Sequence, residues 1–124
     1  MSGKTILYVE DNEANRKIVR QLLKQTSYTL IEAYDGEEGV AKALETRPDL
    51  ILMDVQLPKI SGLEATRRLR AEAATAGTPI IAITSFALSG DDHKAKEAGA
   101  TAYLAKPFSP RELLGLIRST VPEG

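Results

Sequence analysis

Leu50-Ile51-Leu52-Met53-Asp54 decides the reading of this chain. Four consecutive large apolar residues fit a strand buried on both faces, and the acid that ends them stands where such a strand leaves the core. Carboxylates are seldom placed there for packing. Two similar runs flank the idea: Ile6-Leu7-Tyr8-Val9 is followed by Glu10 and Asp11, and Ala102-Tyr103-Leu104-Ala105 is followed by Lys106. Three acids and one base at the ends of converging strands suggest a site for a metal and a phosphoryl group.

Between these runs the pattern changes to amphipathic segments, so that five short apolar runs alternate with five candidate helices. Strands are expected near residues 5–9, 28–33, 49–54, 79–84 and 101–105, with helices in the intervals. The first helix, near 13–26, reads with Ala14, Ile18 and Leu22 inward, Val19 and Leu23 partly so, and Arg16, Lys17, Arg20 and Lys24 outside. Punctuation supports the boundaries. Asp35-Gly36 opens the second helix and Arg47-Pro48-Asp49 stops it, while Ser61-Gly62 precedes a third bearing Leu63, Ala65, Thr66 and Leu69. Thr78-Pro79 opens a strand, and Gly99 suits a left-handed cap on the fourth helix. In Ser109-Pro110-Arg111-Glu112 the serine can cap the fifth helix, the proline needs no N–H in the first turn, and the glutamate holds the capping-box position.

The 124 residues suit one domain with one substantial core, read as spanning 1–124. A composition of 43% hydrophobic and 27% charged residues is that of an ordinary soluble globular protein. A formal charge of -1 and a pI near 5.9 provide no basic field for nucleic acid. The chain has no Cys, which removes disulfides, thiolate metal sites and cysteine nucleophiles. No apolar stretch approaches the roughly 18 residues of a membrane span, and the N-terminal residues do not read as a signal peptide. A cytoplasmic protein without membrane contact is the expectation.

In an open parallel sheet covered on both sides, functional groups collect beyond the carboxyl ends of the strands. Glu10, Asp11, Asp54, Thr84 and Lys106 all follow strands in this way. Crowded carboxylates repel, and a divalent cation with hard oxygen ligands relieves them, which favours Mg2+ over zinc in a chain with no Cys and one His. His93 lies in a polar stretch and reads as a surface residue. Asp54 is then a candidate nucleophile toward phosphorus, with Lys106 and the Thr84 hydroxyl as candidate holders of the phosphoryl oxygens. Taken singly, each acid or the lysine reads equally well as a helix cap or half of an ion pair.

Together these residues resemble the receiver domains of two-component response regulators, over essentially the whole chain. Glu10-Asp11, the segment DLILMDVQLP at 49–58, Gly62, Thr84 and Lys106-Pro107 occur in that family's order and spacing. VEDNEANR at 9–16 and SGLEAT at 61–66 are further similar to DivK-type single-domain regulators and to the receivers of hybrid histidine kinases. The resemblance implies a flavodoxin-like α/β fold, a doubly wound five-stranded parallel sheet in the order 2-1-3-4-5 with five helices. It implies that Asp54 accepts a phosphoryl group from the phosphohistidine of a histidine kinase or a histidine phosphotransfer protein. Mg2+ would be held by Asp11, Asp54 and the Gln56 carbonyl, with Glu10 acting through water, and Lys106 would pair with the phosphoryl group. Thr84 would move to hydrogen-bond it, and Tyr103 would rotate inward.

A cis Lys106-Pro107 peptide is also implied. Ser85 stands where the family commonly has alanine or another small residue, and Gln56 and Phe86 occupy positions that tune phosphoryl lifetime. The output surface is expected on the fourth helix, fifth strand and fifth helix, around Leu88, Tyr103 and 111–118. The kinase side is expected at Asn12, Asn15, Ile18 and Pro107. With no output domain after Gly124, a free-standing switch acting through partners is the expectation. Two rival classes fare worse. A haloacid-dehalogenase-like phosphatase needs a second acid two residues after its nucleophile, where Gln56 stands. A flavodoxin needs a phosphate loop where Glu10-Asp11-Asn12-Glu13 would repel phosphate.

Overall fold

The structure is a computed structural model and describes residues 3–84 and 91–122. Five strands alternate with five helices: β1 (Thr5–Val9), α1 (Glu13–Leu23), β2 (Thr29–Ala33), α2 (Gly36–Thr46), β3 (Leu50–Asp54), α3 (Gly62–Ala71), β4 (Ile80–Thr84), α4 (Asp91–Ala98), β5 (Ala102–Ala105) and α5 (Pro110–Thr120). The strands form one parallel sheet in the order β2-β1-β3-β4-β5. The central strands β1, β3 and β4 are almost wholly buried, as their unbroken apolar runs require. The edge strands β2 and β5 are covered less completely, so the expectation of burial on both faces fails there.

Side-chain alternation divides the interior into two layers. Ile6, Tyr8, Leu50, Leu52, Ile81 and Ile83 meet α1 and α5 through Val19, Leu23, Leu113 and Ile117. Leu7, Val9, Ile51, Met53 and Ile80 face Ala43 of α2 and Ala65 and Leu69 of α3. A smaller cluster of Val55, Ala82 and Ala95 seats α4. Each fully buried aliphatic side chain in these layers contributes about 2 kcal/mol. Among the described residues no helix is long and apolar enough to cross a membrane.

The helix ends follow the local chemistry. Asn12, Asp35, Ser61 and Ser109 accept N–H bonds at the starts of α1, α2, α3 and α5, and Ser109 with Glu112 completes a capping box over Pro110. Arg47 caps α2 in a left-handed conformation, and Gly99 has φ +111°, accessible without strain only to glycine.

Helix α1 is where the structure corrects the sequence reading. It ends at Leu23, and its inward stripe is Arg16, Val19 and Leu23, while Ala14 is exposed and Ile18 is 53% exposed. Ile18 lies about 160° around the helix from Arg16 and about 140° from Leu23, so it falls outside the stripe that those residues set. The choice falls on Arg16 because the buried guanidinium has partners there. Its Nη1 donates to the Glu10 carbonyl at 2.7 Å, its Nη2 meets Glu13 at 2.7 Å, and its Nε lies 3.3 Å from Glu32. The Tyr34 ring stacks 4.3 Å away.

Candidate functional site

Three rows of alternating side chains run along the α1/α5 face of the sheet and end together. Tyr8 is followed two residues on by Glu10, Leu52 by Asp54, and Leu104 by Lys106. The register pairs Tyr8 with Leu52 and Ile83 with Leu104, which brings those row ends to one edge of the sheet. The edge lies beside the β1–β3 boundary, where the strand order reverses.

Glu10 and Asp54 are 1% and 2% exposed, whereas Asp11 is open to solvent. One carboxylate oxygen from each lies within 4.8 Å of the others, a spacing compatible with a shared cation. Lys106 Nζ donates to Glu10 Oε1 at 2.9 Å and to Asp54 Oδ2 at 3.1 Å. The Gln56 N–H donates to Asp54 Oδ1 at 3.0 Å. Three carboxylates against one ammonium leave an excess of negative charge, and a divalent cation with hard oxygen ligands fits such a donor set.

The buried acids do not ionise alike. Burial, followed by the Glu10 charge, pushes the Asp54 carboxyl up to about 6, against the opposing pull of the Gln56 N–H and Lys106. Burial penalises Glu10 as well, but the hydrogen bond and charge of Lys106, with the Asn12 N–H, outweigh it and hold Glu10 below the ordinary carboxylate range. Burial likewise works against the Lys106 ammonium, and the two acids overcome it, raising its pKa.

The loop after β3 is moulded onto Asp54. Gly62 N–H donates to the Val55 carbonyl at 2.9 Å, and a Cβ on Gly62 would lie 2.0 Å from the Asp54 carbonyl oxygen. Only glycine lets α3 start there. Thr84 ends β4 fully buried, its carbonyl accepting the Lys106 N–H at 2.7 Å. The following Lys106-Pro107 peptide is cis, as expected.

Glu10, Asp11, Asp54, Lys106 and the Gln56 backbone thus gather at one place. Tyr103 does not. It lies on edge strand β5, 39% exposed, in a shallow depression with His93, Lys96 and Thr101. His93 is at the surface, 3.6 Å from Glu97. Asn15, Ile18 and Pro107 line a groove of about 620 Å³ between α1 and the β5–α5 connection, with Tyr8, Lys106 and Phe108 in its wall. Asn12 serves as the cap of α1. Ser85, Phe86 and Leu88 lie outside the described residues.

Two contributors escaped the sequence reading. The Tyr8 hydroxyl, in an otherwise aliphatic run, donates to Glu10 Oε1 at 3.2 Å. Arg16 holds the Glu10 carbonyl from α1. The available signal for Arg16 was its three- and seven-residue spacing to Val19 and Leu23.

The family model of the response regulator receiver domain matches residues 6–118. The polar-differentiation response regulator DivK of Brucella anthropi is 42% identical over 116 residues, 94% of each chain. The receiver domain of a sensor histidine kinase from Pseudomonas aeruginosa PAO1, whose crystal structure has a magnesium ion coordinated in the active-site cleft, superimposes with a TM-score of 0.89. Its identity is 40%, over 95% of this chain and 97% of that one. The chemotaxis response regulator CheY4 of Vibrio cholerae also gives 0.89, at 32% identity over 95% and 98% of the two chains.

Proposed function

Because this chain belongs to the response regulator receiver family, we propose that it is a phosphorylation-dependent switch in which Asp54 accepts a phosphoryl group from a phosphohistidine. The observation that carries this reading is the Asp54 carboxylate itself, buried at the end of β3 with Lys106 Nζ at 3.1 Å and two further acids within reach of one cation. With its pKa near 6, Asp54 is mainly ionised at neutral pH and so is a competent nucleophile. A carboxylate oxygen forms the new P–O bond as the P–N bond of the phosphohistidine breaks, and the imidazole leaves with the electron pair and takes up a proton. The acceptor needs no separate general base, since a carboxylate carries no proton to lose.

Asp11, Asp54 and the Gln56 carbonyl would hold Mg2+, with Glu10 acting through water. When bound, the ion supplies the positive charge that offsets carboxylate and phosphoryl oxygens in one site. Lys106, held between Glu10 and Asp54, is poised to pair with the incoming group, and the Thr84 hydroxyl would hydrogen-bond it. Tyr103 would then turn inward from its exposed place on β5. A shift of this kind biases two conformations of the α4–β5–α5 face by about 1–3 kcal/mol, enough to select a downstream protein partner. Chemically this is a regulator that turns over its own phosphoryl group slowly, rather than an enzyme acting on a separate substrate.

The phosphoryl donor, a histidine kinase or histidine phosphotransfer protein, would dock in the groove bordered by Asn15, Ile18 and Pro107. The exposure of Ile18 supports that role, since an aliphatic side chain left in water on a helix is available to a partner. The proposed place of action is the cytoplasm. Intact-mass measurement after incubation with acetyl phosphate tests the chemistry directly. One phosphoryl group is expected on the wild type with Mg2+, and none without Mg2+ or on Asp54→Ala. A wild type that gains no mass and also fails to bind beryllofluoride would overturn the proposal.

A further inference from the structure

The buried Glu10 carboxylate has three donors among the described residues. Asn12 N–H reaches Oε2 at 3.2 Å, while Oε1 accepts both Lys106 Nζ at 2.9 Å and the Tyr8 hydroxyl at 3.2 Å. Lys106 is shared, since the same ammonium lies 3.1 Å from Asp54 Oδ2. If Lys106 turns toward a phosphoryl group on Asp54, its bond to Glu10 weakens or breaks. At 1% exposure the carboxylate has no bulk water to replace that donor, and with a metal-bound water on one side its remaining protein donors would be Tyr8 and Asn12.

We infer that Tyr8 is a positioning residue whose hydroxyl keeps Glu10 oriented and hydrogen-bonded while Lys106 transfers from Glu10 to the phosphoryl group. This rests on the receiver reading of the site. Tyr8 is suited to the task because its ring is locked in the core against Leu52 and its neighbours, so the hydroxyl is held on Glu10 by packing. Unlike Lys106 it has no second acid to serve. The ring also walls the groove beside α1, which places the same side chain between the acidic site and the surface proposed to receive the phosphoryl donor.

Tyr8→Phe removes the hydroxyl and keeps the ring, so the fold is retained, which a thermal melt verifies. Two affinities are then compared by titration calorimetry: Mg2+ alone, and beryllofluoride at saturating Mg2+. In the first, Lys106 still serves Glu10, and affinity is expected to stay within about twofold of the wild type. In the second, Lys106 is drawn away, and affinity is expected to fall roughly fivefold to tenfold. In a Glu10→Ala background the Tyr8→Phe change is expected to have no further effect, because its partner is gone. A proportional loss in both titrations, or an equal loss in the Glu10→Ala background, would assign Tyr8 to packing alone and overturn the inference. Unchanged beryllofluoride affinity in Tyr8→Phe overturns it too and leaves the receiver reading standing. A wild type that binds no beryllofluoride overturns that reading and, with it, this role for Tyr8.

Discussion

Replacing Asp54 by Asn should make the metal-free protein more stable, and only above the pH at which the acid ionises. Asp54 is nearly inaccessible, and burial together with the Glu10 charge raises its pKa from 3.8 to about 6. An acid whose folded pKa lies above its unfolded value destabilises the fold once it ionises. The penalty is absent below about pH 4, where both states are protonated, grows between about 4 and 6, and is complete above that. A shift of about two units corresponds to about 3 kcal/mol. Asparagine resembles the protonated acid in shape and keeps an acceptor oxygen for Lys106, whose preference for the carboxylate is already contained in the net shift. The net gain near pH 8 is then about 3 kcal/mol, or roughly 9–15 °C in melting temperature for a chain of this size. The assay is thermal melting by circular dichroism in EDTA at pH 4 and pH 8, wild type against Asp54→Asn. The variant should melt higher at pH 8 and within about 2 °C of the wild type at pH 4. Adding Mg2+ at pH 8 should close the gap by raising the wild type alone. An equal difference at both pH values, or a variant less stable at pH 8, would refute the account of Asp54 as an electrostatically strained carboxylate.

Proton and cation compete for the same acid, so the apparent Mg2+ affinity should weaken as pH falls through about 6, approaching tenfold per unit below it; calorimetry at pH 5, 6 and 7.5 that found a constant affinity would contradict this. Gly62→Ala would drive a Cβ into the Asp54 carbonyl, and should cost about 3 kcal/mol or more in urea denaturation and reduce Mg2+ binding. Gly115→Ala, with nothing within 4 Å of its Cβ in α5, should instead gain about 0.5–1 kcal/mol. Arg16→Met would remove the donor on the Glu10 carbonyl and leave Glu13 and Glu32 facing an uncharged side chain, for an expected loss of about 3 kcal/mol. A denaturation midpoint unchanged by that substitution would show the buried guanidinium to be dispensable.

The sequence by itself determined what each segment can settle locally. Unbroken apolar runs such as Leu50–Met53 are strands because nothing else buries four consecutive large residues between two helical layers. Asp35, Ser61 and Ser109 start helices because their short side-chain oxygens satisfy N–H groups at the helix start, and Gly99 ends α4 because its φ of +111° excludes other residues. The acids at the strand ends were visible for the same reason, since each interrupts a run that packing would have continued. The strand order was not legible from periodicity and entered through resemblance, because period-two alternation marks the faces of a strand and says nothing of its neighbour. Tertiary structure decided what depends on two segments meeting. Register brought the Tyr8–Glu10, Leu52–Asp54 and Leu104–Lys106 rows to a common end, and so allowed one ammonium to serve two acids. The rotation of α1 was settled the same way. Hydrophobic periodicity favours Ile18 inside and Arg16 outside, yet the Glu10 carbonyl beyond the end of β1 and Glu32 of β2, both outside the helix, offer oxygens that pull the guanidinium in and leave Ile18 in solvent. A buried charge is tolerated only where its partners converge, and which partners converge is a property of the assembled sheet.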